Sequence, residues 1–182
     1  MERNYQRSII DRLGHKRIVF FWAVALTFLP LPWLVDGGPL DKHTVSQSIE
    51  GCSVLSVYDG DTMTVRCNGD KVKLRLYCID APEIGQSPWG VRSRDSLRRM
   101  SGDRVDVVLY YRDRYKRMVS EIHSGRKNLN LSLVENGEAA VYPRYCDDAV
   151  YDRAEERARS RKLGIWSDAG LHQTPWRWRA IH

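Results

Sequence analysis

Three short segments hold residues whose types and spacing suit phosphate chemistry. Val57-Tyr58-Asp59-Gly60-Asp61-Thr62 and Leu74-Arg75-Leu76-Tyr77-Cys78-Ile79-Asp80-Ala81-Pro82-Glu83 pack acids and an arginine into two stretches, the outline of a hard-cation site beside a phosphate. Asp113-Arg114-Tyr115-Lys116-Arg117 adds a second fixed positive charge. Charge that develops on phosphoryl oxygens is stabilised by a metal ion together with guanidinium groups, so the three segments have complementary parts.

Each residue can be weighed by its surroundings. Asp61 opens a strand and shares a face with Met63 and Val65, which puts its carboxylate at the mouth of an apolar interior, where it needs a partner. Asp59, in an Asp-Gly pair, is explained by turn chemistry alone. In Asp80-Ala81-Pro82-Glu83 the proline cannot donate to a ladder and holds Ala81 extended, turning the Ala81 carbonyl and the neighbouring carboxylates outward. Such an oxygen-rich corner suits Ca²⁺. Glu83 is either a helix-capping residue or the group that handles a water beside the ion. Arg75 and Arg117 are either surface arginines or paired donors that grip a phosphate. Arg75 and Asp80, five residues apart, face opposite sides of a straight strand and can serve one phosphate only if the strand coils or bulges. The segment Val141-Tyr142-Pro143-Arg144-Tyr145 suits base stacking, although buried packing serves Tyr142 equally well. For Pro175-Trp176-Arg177-Trp178-Arg179, packing against the domain is preferred over base stacking. His123 and His172 stand isolated, and no serine or cysteine nucleophile comes with a local motif.

The elements that must position these groups follow from periodicity. Asp59-Gly60 between two strand-like runs predicts a two-residue type I′ hairpin, with strands at 52–58 and 61–67 that oppose Tyr58 to Asp61, Val54 to Val65 and Cys52 to Cys67. After Asn68-Gly69-Asp70, residues 71–79 alternate as a third strand with Val72, Leu74, Leu76 and Cys78 on one side. A helix is predicted over 88–100, stopped by Ser101-Gly102, then strands near Val105–Leu109 and Met118–Ile122. A short helix over 130–136 closes at Gly137. A last helix over 148–162 has Asp147 or Asp148 as its cap, Val150, Ala154 and Ala158 on one face, and Glu155–Arg159 as a surface pair. Its arginines, Arg153, Arg157, Arg159 and Arg161, read as a solvated face. Strands first and helices mostly after indicate an α+β fold built on a small closed barrel.

The chain of 182 residues has room for one such domain and an extra segment. Arg3, Arg7, Arg12, Lys16 and Arg17 precede an apolar run over 18–35 broken only by Thr27, Pro30 and Pro32. As a helix the run is about 27 Å long at ~1.5 Å per residue, so residues 1–35 are either a signal peptide or a membrane anchor. Both fates put the remainder outside the cytoplasm, whether secreted, periplasmic or tethered. Residues 36–50 read as a linker, 51–167 as the domain and 168–182 as a Trp- and Arg-containing tail. The net charge is +6, and without residues 1–35 it falls to +3 from 24 basic and 21 acidic residues, so charge alone does not demonstrate a polyanionic partner. All four cysteines lie beyond the apolar run, where disulfides persist, and no Cys-x-x-Cys spacing suggests zinc. Cys52 and Cys67, opposed at about 5.5 Å between Cα atoms, are predicted to bridge, which leaves Cys78 and Cys146 as the second pair.

In order and spacing, Asp59-Gly60-Asp61, the Leu74 to Glu83 stretch and Asp113 to Arg117 resemble the staphylococcal nuclease-like (thermonuclease) family over about residues 51–167. The resemblance implies a five-stranded OB-fold barrel carrying about three helices, and a Ca²⁺ held by Asp61, Asp80 and the backbone carbonyl of Ala81. It implies Glu83 as the residue that orients or deprotonates the attacking water, Arg75 and Arg117 on the phosphate, and Tyr115 in contact with substrate; Tyr145 is the stacking candidate of its own segment. The resemblance implies a calcium-dependent endonuclease that leaves 3′-phosphate ends; with the N-terminal segment and no motif for base-edge readout, the expectation is an exported monomer acting on DNA and RNA with low sequence specificity. Two positions depart from the family pattern: Ala81 where threonine is usual, and Lys116 where glycine is. The alternative is a non-catalytic OB-type nucleic-acid-binding module held at the membrane, and the presence of all five of Asp61, Asp80, Glu83, Arg75 and Arg117 weighs against it. An envelope protein merely stapled by disulfides would need no acid cluster.

Overall fold

A computed structural model describes residues 47–182. The basic N-terminus and the apolar run over 18–35, read above as a signal or anchor, lie outside the described residues. Among the described residues, no helix is long and apolar enough to cross a membrane.

Strands β1 (Gln47–Val57), β2 (Thr62–Cys67) and β3 (Asp70–Leu76) form an antiparallel meander. Helix α1 (Trp89–Ser101) follows a two-residue strand, β4 (Ile79–Asp80), and leads through Gly102, at φ 54°, into β5 (Arg104–Arg112). β5 pairs antiparallel with β1 and with β6 (Met118–Ser124), and β6 returns to lie parallel beside β3. The sheet order β3-β2-β1-β5-β6 with β6 back on β3 is a closed five-stranded barrel, so no barrel strand is left with an open edge. Curvature enters at irregularities in β1 near Gly51 and between Val54 and Ser56, and in β5 between Leu109 and Tyr111. Inside, Met63, Val65, Leu74, Val107 and Ile122 are fully buried, as the alternation of each strand requires.

The short strand β7 (Lys127–Asn128) extends β6, and helix α2 (Leu129–Glu135) starts at Asn128, whose side chain accepts from the Leu131 N–H. Leu129 and Leu133 of α2 are fully buried. β8 (Ala140–Val141) pairs with β4 rather than with the barrel. Helix α3 (Ala149–Ser160) is capped by Asp148, the second of the two cap candidates, and buries Ala154 and Ala158 as predicted. Val150 does not join them: it is exposed and Tyr151 takes the inner position, because a phenol so placed reaches both Glu121 at 2.6 Å and Asn128 at 3.2 Å. Two 3₁₀ turns, Gly164–Trp166 and Leu171–Gln173, lead to α4 (Pro175–Trp178).

Four further sequence expectations need correction. β1 begins at Gln47 and pairs with Leu109 and Val108 there, so strand structure reaches into the segment read as linker. The Asp59-Gly60 turn is not the two-residue type I′ hairpin, since Gly60 has no positive φ and Tyr58 N–H bonds the Thr62 carbonyl at 3.0 Å across a wider loop. The pairing of Val54 with Val65 holds, but the irregularity after Val54 shifts the register, so Val57 rather than Tyr58 ends the ladder, opposite Met63. Glycine is needed at position 60 for a different reason, because a Cβ there would lie 1.8 Å from Ser93 Oγ and 2.6 Å from Ala81 Cβ. Finally, the third strand stops at Leu76 instead of running to Ile79.

Both predicted disulfides, Cys52–Cys67 and Cys78–Cys146, are present. The Cα atoms of Cys52 and Cys67 are 4.5 Å apart, the spacing of a non-hydrogen-bonded pair rather than the hydrogen-bonded one expected.

Candidate active site

The early end of β3 is what assembles the site. Tyr77 and Cys78 turn the chain, with Cys78 in the left-handed region at φ 68°, and β4 leaves the barrel to pair with β8. Asp80 is thereby swung back toward Arg75, whose Nη2 lies 2.9 Å from Asp80 Oδ1 and 3.2 Å from Asp61 Oδ2. The two residues that a straight strand would hold on opposite faces meet because the strand breaks between them. The break is fixed on every side. Asn130, fully buried, donates to the carbonyls of Tyr77 at 3.1 Å and Ser120 at 3.0 Å and accepts from the Ile122 N–H at 3.1 Å. Tyr142 N–H donates to the Cys78 carbonyl at 2.9 Å, and the Cys78–Cys146 bond ties the same turn to the Tyr142–Tyr145 segment.

Asp61 and Asp80 are buried, at 6% and 0% exposure. Asp61 accepts from the Thr62 hydroxyl at 3.0 Å and from the Ala81 N–H at 2.8 Å, which locks the hairpin loop onto the start of the next segment. Ala81 itself is buried behind the pocket surface. Glu83 sits in the loop before α1, in a turn where Gln86 N–H donates to its carbonyl at 2.8 Å and its own N–H donates to Gln86 Oε1 at 2.9 Å. It does not cap the helix, since α1 starts after Pro88 without a side-chain cap bond. Gly90 allows this loop to press on the helix, because a Cβ there would meet the Glu83 carbonyl at 2.0 Å.

Arg117 is aimed by its own loop. Asp113 Oδ1 accepts from the Tyr115 and Arg117 N–H groups at 2.9 Å each, and Asp113 Oδ2 accepts from Arg117 Nε at 2.8 Å. Burial alone would raise the Asp113 pKa, but the backbone and side-chain bonds from Arg117 outweigh it and hold the carboxyl below its usual range. Tyr115 carries the guanidinium groups of Arg114 and Arg117 over its ring at 4.8 and 5.4 Å, and is 64% exposed. Lys116 adopts φ 64°, which explains why glycine is usual there, and it leaves the turn intact by donating to the Asp113 carbonyl at 3.0 Å. A left-handed lysine costs about 1–2 kcal/mol, whereas glycine's freedom in the unfolded chain costs about 0.5–1 kcal/mol. Lys116→Gly is therefore expected to stabilise the domain by about 0.5 kcal/mol in urea unfolding, and a destabilised variant would contradict that balance.

Asp61, Arg75, Asp80, Glu83, Tyr115, Arg117 and Tyr145 all line one cavity of about 810 Å³. Tyr145 is exposed, while Tyr142 is edge-on to it at 5.0 Å and stacked on Trp176 at 5.4 Å, so of the two tyrosines Tyr142 is the packing residue. The floor holds four carboxylates, Asp59, Asp61, Asp80 and Glu83, and the rim carries exposed Lys73, Arg112 and Arg114. Burial first, and the neighbouring Asp61 second, push the pKa of both Asp59 and Asp80 up.

One residue in this cavity was not marked by its sequence context. Arg179 donates from Nη1 to Glu83 Oε1 at 2.7 Å and from Nη2 to Asp80 Oδ1 and Oδ2 at 3.1 and 2.8 Å. The tail thus packs on the acid cluster as well as on the domain. Arg75 pairs with Asp61 and Asp80, and Arg179 with Asp80 and Glu83, so with Asp59 beside them the carboxylates of the floor outnumber the guanidinium groups bonded to them. Buried carboxylate oxygens with that excess fit a divalent hard cation. Among the described residues, no three Asp, Glu, His or Cys side chains converge as a cage, so the fit rests on two aspartates with other oxygen ligands completing the shell.

The family of the Staphylococcal nuclease homologue matches residues 73–168 of the chain. A protein of Haemophilus influenzae named uncharacterized endonuclease is 35% identical over 129 residues, which cover 69% of this chain and 72% of that protein. A second protein named uncharacterized endonuclease, from Escherichia coli O157:H7, is 39% identical over 128 residues, covering 69% and 82%. A protein of Shigella flexneri named micrococcal nuclease is 35% identical over 138 residues, covering 69% and 78%.

Proposed function

Because the chain belongs to the Staphylococcal nuclease homologue family, we propose that its acid-floored cavity is the active site of an exported, calcium-dependent nuclease acting on DNA and RNA. The observation that carries this reading is the convergence of Asp61, Asp80 and Glu83 with Arg75 and Arg117 on one cavity. A bare binding module would gain nothing from burying two aspartates where a polyanion must approach.

Asp61, Asp80 and the Ala81 carbonyl would hold Ca²⁺, which when bound supplies charge stabilisation at the phosphoryl oxygens. Glu83, half-exposed at the cavity wall, orients the attacking water and takes its proton. Arg75 and Arg117 donate to the phosphoryl oxygens, and these bonds strengthen as charge develops in the transition state. Tyr115 and Tyr145 are exposed at the cavity with arginines against their rings, and aromatic and guanidinium stacking on bases tolerates every base, which favours low sequence preference. Product analysis tests this: both DNA and RNA should be cut at many positions, leaving 3′-phosphate ends, and cleavage confined to one sequence or one sugar would contradict it.

Export is supported by the basic-then-apolar N-terminus and by two disulfides, which persist outside the reducing cytoplasm. A reporter fused after His182 should function only outside the cytoplasm, and function of a cytoplasm-dependent reporter at that position would overturn the topology.

A further inference from the structure

The segment beyond residue 168 lies outside the family match, yet it delivers a guanidinium group into the middle of the acid cluster. Its seating is specific. Trp176 stacks on Tyr142 at 5.4 Å, and Trp178 lies against Gly85, where a Cβ would meet its ring at 3.3 Å. The two tryptophans thus contact two segments that reach the cavity, the one with Tyr142 and the loop that carries Glu83. Arg179 follows directly and bridges Asp80 and Glu83, the acid expected to hold the cation and the one expected to handle water.

We propose that Arg179 is a positioning residue of the active site, and that the C-terminal segment is a working part of the catalytic unit. The inference rests on the hydrolase proposed above and deepens it. Glu83 is half-exposed on a loop, and among the described residues the one charged group bonded to its carboxylate is Arg179, so the arginine sets where that carboxylate points. A planar guanidinium fixes two carboxylates at once in a way that a point charge cannot. Arg179 Nη2 lies on both oxygens of Asp80, which a divalent cation would share, while Nη1 separately holds Glu83. Removing the arginine would free the Asp80 oxygens and take one positive charge from the cluster, so cation affinity should rise while the alignment of Glu83 is lost.

The test uses the full chain and two readouts, turnover at saturating Ca²⁺ and affinity for Ca²⁺ itself by calorimetric titration. Arg179→Ala is expected to bind Ca²⁺ more tightly than wild type, yet to lose about 10- to 100-fold in kcat that no added Ca²⁺ restores. Added guanidinium ion, well below denaturing concentration, should recover part of that loss. Arg179→Lys, whose ammonium cannot bridge both carboxylates in one plane, should also lose kcat, and it carries the test if the alanine variant fails to fold. Arg177→Ala, an exposed neighbour, should match wild type. Wild-type or raised kcat in either Arg179 variant at saturating Ca²⁺ would overturn the inference, a raised value making the segment an inhibitory strap instead. If Arg117→Ala abolishes cleavage while the Arg179 variants do not, this inference alone fails; if the wild-type chain cleaves nothing, the proposed function fails with it.

Discussion

Alanine in place of Glu83 or Arg117 is expected to lower turnover at saturating Ca²⁺ by about 10²-fold or more, with the fold intact. Neither side chain is part of the barrel core. Glu83 lies on the loop before α1, and Arg117 is held by Asp113 at the rim, so truncation of either removes a chemical group without opening a cavity. Asp61→Ala and Asp80→Ala should act differently, raising the Ca²⁺ needed for activity, because each removes an anionic oxygen from the buried floor. Asp59→Asn should be mild, since the Asp59 side chain accepts from the Asp61 N–H at 3.0 Å and an amide oxygen can do the same. Near-wild-type cleavage by both Glu83→Ala and Arg117→Ala at saturating Ca²⁺ would remove the catalytic assignment and leave a nucleic-acid-binding module.

That Asp61, Asp80 and Glu83 would share one cavity with Asp113 to Arg117 is legible from the motif order that resembles the family, because each motif is short and marked by local turn chemistry. The barrel strands were legible because alternation acts over a few residues, with Met63 and Val65 inside as it required. The break at Tyr77-Cys78 was not, because nothing local marks Cys78 as a left-handed residue; Asn130, Tyr142 and Cys146, 52 to 68 residues further along the chain, impose it. Arg179 is less legible still, lying 99 residues from Asp80 and 96 from Glu83 in a segment whose paired tryptophans suggested packing but not what the packing would carry. The type I′ turn expected of Asp59-Gly60 failed because glycine serves two purposes, and here the close approach of Ser93 and Ala81 is what excludes a side chain.

Loss of the Cys78–Cys146 bond should be the most damaging single covalent change. The bond closes a chain separation of 68 residues, and cross-links of that span stabilise by about 4 kcal/mol, mainly through the unfolded state. The paired Cys78→Ser and Cys146→Ser variant should therefore melt roughly 10 °C below wild type in scanning calorimetry. The shorter Cys52–Cys67 bond, with a separation of 15, should contribute about 3 kcal/mol. The two losses also differ in kind. Cys78 lies two residues before Asp80 and its carbonyl is bonded by Tyr142, so its release should weaken Ca²⁺ binding as well, whereas Cys52–Cys67 joins two barrel strands away from the acid floor. Equal Ca²⁺ affinity in both serine pairs would show that the strand break holds Asp80 without its disulfide.

The cleavage rate of the full chain on DNA as a function of free Ca²⁺, followed by return to a chelator, bears most directly on the acid-floored cavity as a phosphodiesterase site. Cleavage should be absent in chelator, rise and saturate with Ca²⁺, and vanish again when the ion is withdrawn, because the cation that Asp61 and Asp80 would hold supplies the charge stabilisation at the phosphoryl oxygens. Cleavage at the same rate with and without Ca²⁺, or none at any Ca²⁺ concentration, would contradict the assignment.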